Sequence, residues 1–161
     1  MENILKTTLV LSAVAGLAAG VLLLIPFLTP LIVLLLFVII GAGIIIYLKK
    51  NALVGILSVQ DGTLIGAVAG FISLSAAAAV YLPFLFLINL IFGSHIYKST
   101  FGSSFTNFTY NLFFVVILVF FTALLSAIFN AFTGMVAAYI YEKIENKPFE
   151  FHTHFEIEQD D

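Results

Sequence analysis

Residues 31–50 read LIVLLLFVIIGAGIIIYLKK. From Leu31 to Leu48 no side chain is charged and none but the Tyr47 phenol is polar, and the run closes on Tyr47, Lys49 and Lys50. A bilayer core about 30 Å thick takes roughly 20 apolar residues of helix. An aromatic ring followed by two ammonium groups is the pattern of an interfacial stop. The stretch therefore reads as a membrane span over 31–48, and it sets the fold class: an all-α integral membrane protein.

Working towards the N-terminus, Pro26 and Pro30 flank Phe27, Leu28 and Thr29. Each proline removes a backbone donor and clashes with the preceding turn, so residues 26–30 read as a tight turn at the membrane face. Before it lies a first span over 7–27. Its short charged start and Ala-Ala-Gly sequence also resemble a signal peptide, and we read it as a retained helix.

Towards the C-terminus, residues 52–57 are an apolar connector, too short to cross and expected to lie along the interface. Ser58 and Asp61 then make a capping-box-like helix start. The third span covers 59–92. Its apolar part, 62–92, would be about 46 Å long as one straight helix, which exceeds the hydrocarbon core. Pro83 suggests a kinked, tilted helix; the alternative is a helix ending near Tyr81 with 84–92 along the interface. Residues 94–111 are a polar loop, the fourth span covers 110–141, and 142–161 form a tail. The expectation is four transmembrane helices in two hairpins.

Composition agrees with this reading. Of 161 residues, 62% are hydrophobic and 9% charged, where soluble domains are nearer half apolar and a quarter charged. Six Lys, no Arg and nine carboxylates cannot cover a soluble surface of this size. This excludes a soluble enzyme, a nucleic-acid binder and a disordered chain. The absence of Cys removes disulfides, thiolate catalysis, zinc–thiolate sites and iron–sulfur clusters.

The lysines set orientation. With four spans and a cytoplasmic N-terminus, Lys6, Lys49, Lys50, Lys143 and Lys147 lie inside and only Lys98 outside. Both termini are expected in the cytosol of a cell-membrane protein. The outer loop holds Asn107 and Thr109 in a formal glycosylation sequon of little weight. A faint internal echo pairs residues 12–16 with 66–70 and 26–28 with 83–85.

The most specific motif is small-residue spacing. Ser12, Gly16 and Gly20 recur every four residues in the first span, and Gly62, Gly66 and Gly70 in the third. Ser126, Asn130 and Gly134 continue the theme in the fourth. Such stripes let helix backbones approach closely. They are expected to pack the bundle itself, with an oligomer or partner interface as the alternative. Asn89, Ser126, Asn130 and Thr133 are the main polar side chains inside spans; Asn130 is read as an interhelical hydrogen-bonding residue rather than a pore ligand. No ionisable group sits well inside a span, whereas ion-coupled transporters and voltage sensors normally need one.

The tail carries two Lys and seven carboxylates between residues 142 and 161. Phe149, Phe151, Phe155 and Ile157 alternate with polar residues, the period of a strand with one apolar face. Strand addition to a cytosolic partner protein is the expected use, with disorder as the alternative. His152 and His154 are weak metal candidates: they share one face of such a strand beside Glu150 and Glu156. No cofactor-binding, phosphate-binding or nucleophile–base motif is present.

Residues 15–75 also carry a distinctive order of motifs. Ile25 to Leu28 give an Ile-Pro-Phe-Leu break, and Gly41 and Gly43 a Gly-x-Gly helix. Tyr47 to Lys49 close that helix, and residues 58–70 open the next. This order resembles a type of small prokaryotic integral membrane protein. The resemblance implies a four-helix membrane fold and supplies no activity. The expected function is non-enzymatic: a structural or accessory subunit in the lipid bilayer, associating as a homo-oligomer or within a larger membrane complex. The alternative is a small oligomeric transporter or pore for an apolar or lipid-like substrate.

Overall fold

A computed structural model describes residues 2–55, 57–92 and 108–145. They form four helices: α1 (Glu2–Leu22), α2 (Thr29–Lys50), α3 (Val59–Phe92) and α4 (Phe108–Glu145). All four are long and apolar enough to cross a membrane, and no strand occurs among the described residues.

The helix ends follow from local chemistry. α1 stops at Leu22, short of the expected Phe27, because Pro26 cannot donate and its ring opposes the carbonyl four residues back. The chain leaves in tight turns, Leu24 N–H to Val21 O at 3.1 Å and Ile25 N–H to Leu22 O at 3.1 Å. Thr29 Oγ1 lies 3.2 Å from both Leu23 O and Ile25 O, supplying a donor to carbonyls the helix no longer serves. Pro30 then sits in the first turn of α2, where a missing N–H is harmless.

α2 ends in a Schellman motif. Leu53 N–H reaches Leu48 O at 3.0 Å and Ala52 N–H reaches Lys49 O at 3.0 Å. Ala52 takes the left-handed conformation, φ 52°, that this motif usually gives to glycine. The connector beyond it turns inward: Val54 and Leu57 are buried with Ile45, Leu48, Ile65 and Ala138. At the start of α3, Ser58 Oγ accepts from Asp61 N–H at 3.1 Å, as the capping pattern predicts, and the same hydroxyl donates to the Asp61 carboxylate at 2.7 Å. α3 runs unbroken through Pro83. α4 continues one turn beyond the expected Tyr141, to Glu145.

α3 is the hub. α4 packs along one face of it and α1 along another, while α2 lies against both α3 and α4. α1 makes little contact with α2 despite the short turn that joins them. The helix directions are visible in the closest approaches. Gly16 meets Ser73 and Gly20 meets Ala77, so α1 and α3 run parallel with residue i against i+57. The echo between residues 26–28 and 83–85 has the same offset. Gly66 meets Asn130 and Gly70 meets Ser126, so α3 and α4 run antiparallel.

α2 is not a uniform α-helix. Leu35–Ile39 form a π turn, and Ile40 N–H returns five residues, to Leu35 O. Packing gives the reason. The buried residues of α2 are Ile32, Leu36, Ile40, Gly41, Ile44, Ile45 and Leu48. At 3.6 residues per turn they would spread over an arc of roughly 220°; absorbing one extra residue between Leu36 and Ile40 narrows it to roughly 140°. The π turn brings both halves of the helix onto one core-facing stripe. One half joins Ala19, Leu23 and Ala77, the other joins Val54, Leu57 and Ile65.

Small and polar residues share the interior with aliphatic ones, while the outer surface is aliphatic and aromatic. Thr8, Ser12, Ser73, Ser126 and Asn130 are fully buried. Phe113, Phe114, Phe121, Ile128 and Phe132 of α4 are each at least 57% exposed. A soluble domain sorts these residue types the other way.

Candidate functional site

Among the described residues the densest polar cluster forms where α2, α3 and α4 cross. Its centre is Asn130, with no exposed surface. It reaches that depth because three glycines make room. A Cβ added at Gly66 would overlap the Asn130 carbonyl; at Gly41 it would lie 2.6 Å from the same oxygen, and at Gly70 2.6 Å from Ser126 O. These are backbone atoms held in a helix and cannot give way as a flexible side chain would.

The Asn130 carboxamide closes the break that the π turn leaves in α2. Gly41 N–H donates to Asn130 Oδ1 at 2.8 Å. Asn130 Nδ2 donates to Leu36 O at 2.8 Å and to Phe37 O at 3.0 Å. Leu36 O, which Ile40 has passed over, also accepts from Ser126 Oγ at 2.9 Å. Ser126 Oγ lies 3.1 Å from Gly70 O on α3. Asn130 Nδ2 further lies 2.9 Å from Ser126 O and 3.2 Å from Ser126 Oγ on its own helix. Thr133 Oγ1 bonds Asn130 O at 3.2 Å. An amide carries a donor and an acceptor on separate atoms in one plane, so it can face a backbone N–H and C=O side by side.

The remaining stripe residues fall on two other contacts. Gly62 and Gly134 cross between α3 and α4, where a Cβ on Gly134 would stand 2.5 Å from Gly62 O. Ser12, Gly16 and Gly20 face α3 from α1. There the hydroxyls bond within their own helices: Ser12 Oγ to Thr8 O at 2.6 Å and Ser73 Oγ to Gly70 O at 3.3 Å. Thr8 Oγ1, also buried, has no hydrogen-bond partner.

Charge gathers at one end of the bundle. Lys49 Nζ, on a side chain only 7% exposed, pairs with Glu145 Oε1 at 2.6 Å and donates to Gly55 O at 2.7 Å. It also lies 5.9 Å from the Tyr141 ring centre. The end of α2, the connector and the end of α4 are thereby tied together. Among the described residues no three His, Cys, Asp or Glu side chains gather as a metal site would need. His95, His152, His154, Phe149, Phe151, Phe155 and Ile157 lie outside the described residues, as does the Asn89 side chain.

The residues not singled out beforehand are Gly41, Ser73, Ala77 and Thr8, together with the carbonyls of Leu36 and Phe37. Gly41 was visible as half of a Gly-x-Gly pair. The π turn carries no signal, because every residue near it is apolar. In class, the fold and its interior define an all-helical protein built to present apolar surface outward. Comparison with protein-family models, curated proteins and solved structures returns no match for this chain.

Proposed function

We propose that the chain is a non-enzymatic, multi-pass protein of the cell membrane that serves as a structural or accessory subunit. It crosses the bilayer four times with both ends in the cytosol. The observation that carries this reading is how the interior polar groups are used. Asn130 and Ser126 spend their hydrogen bonds on the carbonyls and N–H groups of neighbouring helices. A substrate path needs polar groups left free to meet what passes, and this cluster supports helix assembly instead.

The exposed apolar side chains of all four helices support insertion in lipid. α3 and α4, with 34 and 38 residues, exceed a 30 Å core by about 20 Å or more. Tilt, with a kink at Pro83, accommodates that excess. The cytosolic end is the one that gathers Lys49, Lys50 and Lys143, and the acidic residues of 142–161 are the part of the chain offered to a cytosolic partner.

Reconstituted alone in liposomes, the protein is expected to pass no solute. Isolated in mild detergent, it should carry a stoichiometric second membrane component or further copies of itself, reduced when residues 146–161 are removed. Solute flux through the purified protein would contradict this reading in favour of a transporter. Because the chain has no Cys, single cysteines placed at Lys6, Asn51 and Lys143 should be blocked by impermeant maleimide only from the cytosolic side.

A further inference from the structure

α2 contains one residue more than an unbroken helix would need between its two buried stretches. The π turn Leu35–Ile39 absorbs that residue, and the gap it opens is filled from outside the helix. Asn130 takes Gly41 N–H on Oδ1 and offers Nδ2 to Leu36 O and Phe37 O, so its amide stands where a peptide group of α2 would stand.

We infer that Asn130 is a register lock, and that α2 has a second register which becomes available when the carboxamide withdraws. In that register Ile40 N–H returns to Leu36 O and Gly41 N–H to Phe37 O. Every backbone group is again satisfied inside the helix, as an apolar surrounding requires. Reaching it turns Thr29–Leu34 by roughly 100° relative to Ile40–Lys50. That turn carries Ile32 away from Ala19, Leu23 and Ala77 and swings the turn at Pro26 and Pro30.

The rest of the bundle can stay in place, because α1 meets α2 at few points beyond the cluster that the turn opens, and the half of α2 from Ile40 to Lys50 keeps its own cluster. The withdrawn carboxamide also keeps a partner, since Nδ2 already lies within hydrogen-bond distance of Ser126 O and Oγ on α4. The element able to move is thus the outer half of α2. The group that holds the open ladder is the Asn130 carboxamide of α4, with the Ser126 hydroxyl as a second donor to Leu36 O.

Spin-label distances test this in the Cys-free chain reconstituted in nanodiscs. One label pair, Val33→Cys with Leu125→Cys, reports the outer half of α2 against α4. A second, Ile46→Cys with Val136→Cys, reports the inner half. All four positions are exposed. Asn130→Ala should shift the Val33 distance by on the order of 10 Å, the displacement a 100° turn gives a helix surface, and leave the Ile46 distance unchanged. Deleting Ile39 in the Asn130→Ala background removes the extra residue, so the original Val33 distance should return. Deleting Ile39 with Asn130 present leaves the carboxamide facing a closed ladder and should weaken the fold. An unshifted Val33 distance in Asn130→Ala overturns the proposal. So does a shift, or a loss of both defined distances, that the deletion does not reverse.

Discussion

α3 presents one face to α4 and another to α1, and the two contacts are built differently. Both rely on glycine to bring backbones together, Gly66 and Gly70 on one side and Gly16 and Gly20 on the other. The α4 side adds Ser126, whose hydroxyl lies 3.1 Å from Gly70 O across the contact, and beside it Asn130, whose carboxamide bonds the backbone of α2. On the α1 side Ser12 and Ser73 bond within their own helices, and Thr8 Oγ1 has no partner. Close approach alone sets dispersion contact; the added amide also sets rotation and register. α2, α3 and α4 therefore form the specified part of the bundle, and α1 is held to it by shape.

The most damaging way to break this contrast is Gly66→Leu. A side chain there must displace the Asn130 carbonyl, so the loss should reach on the order of 3 kcal/mol or more, measured as folded fraction in a detergent-denaturation titration. Gly16→Leu meets Ser73 backbone just as closely, yet its damage should stop at α1. Limited proteolysis should release or cut α1 while α2–α4 stay protected; equal loss of protection in all four helices would erase the contrast.

Next in size is Asn130→Ala. It removes three interhelical bonds, and the register in which α2 closes its own ladder draws Ile32 out of its cluster, an expected loss of about 1–2 kcal/mol by the same titration. Ser12→Ala on the other face should stay below about 0.5 kcal/mol, because the bond it deletes lies inside α1. Thr8→Val sharpens the comparison from the opposite side. It replaces an unpartnered buried hydroxyl with a methyl of the same shape, so stability should rise, by up to about 1 kcal/mol. The smallest effect is Lys49→Met. Its partner Glu145 is 41% exposed, and pairs reaching solvent contribute at most about 1 kcal/mol. The added signature is a more labile connector, since Gly55 O loses its donor.

Much of the architecture was legible in the residues. The four apolar segments, the break at Pro26 and Pro30 and the start at Ser58 and Asp61 each rest on local chemistry that a sequence displays. The four-residue period of the small side chains was visible too. Which stripe faces which was not. Gly16 against Ser73 and Gly41 against Asn130 depend on how helices distant in sequence are arranged around α3. The π turn was hidden for a different reason. Its cause is the spacing of buried residues along α2, and in a stretch where Leu, Ile and Val fill nearly every position, buried and exposed sites carry the same residue types. Asn130 was recognisable as an interhelical residue, but its partners are backbone groups, which leave no mark in sequence. The small number of polar side chains concentrates specificity in a few places, and Asn130 is the one that binds the backbone of another helix on both sides.

The hydrogen bond from Gly41 to Asn130 carries that claim and can be observed without any mutation. In isotope-labelled protein, scalar coupling across a hydrogen bond identifies the acceptor carbonyl of a given amide. The account predicts a correlation from the Gly41 nitrogen to the side-chain carbonyl carbon of Asn130. A correlation to the backbone carbonyl carbon of Phe37 would mean that α2 closes its own ladder, and would contradict it.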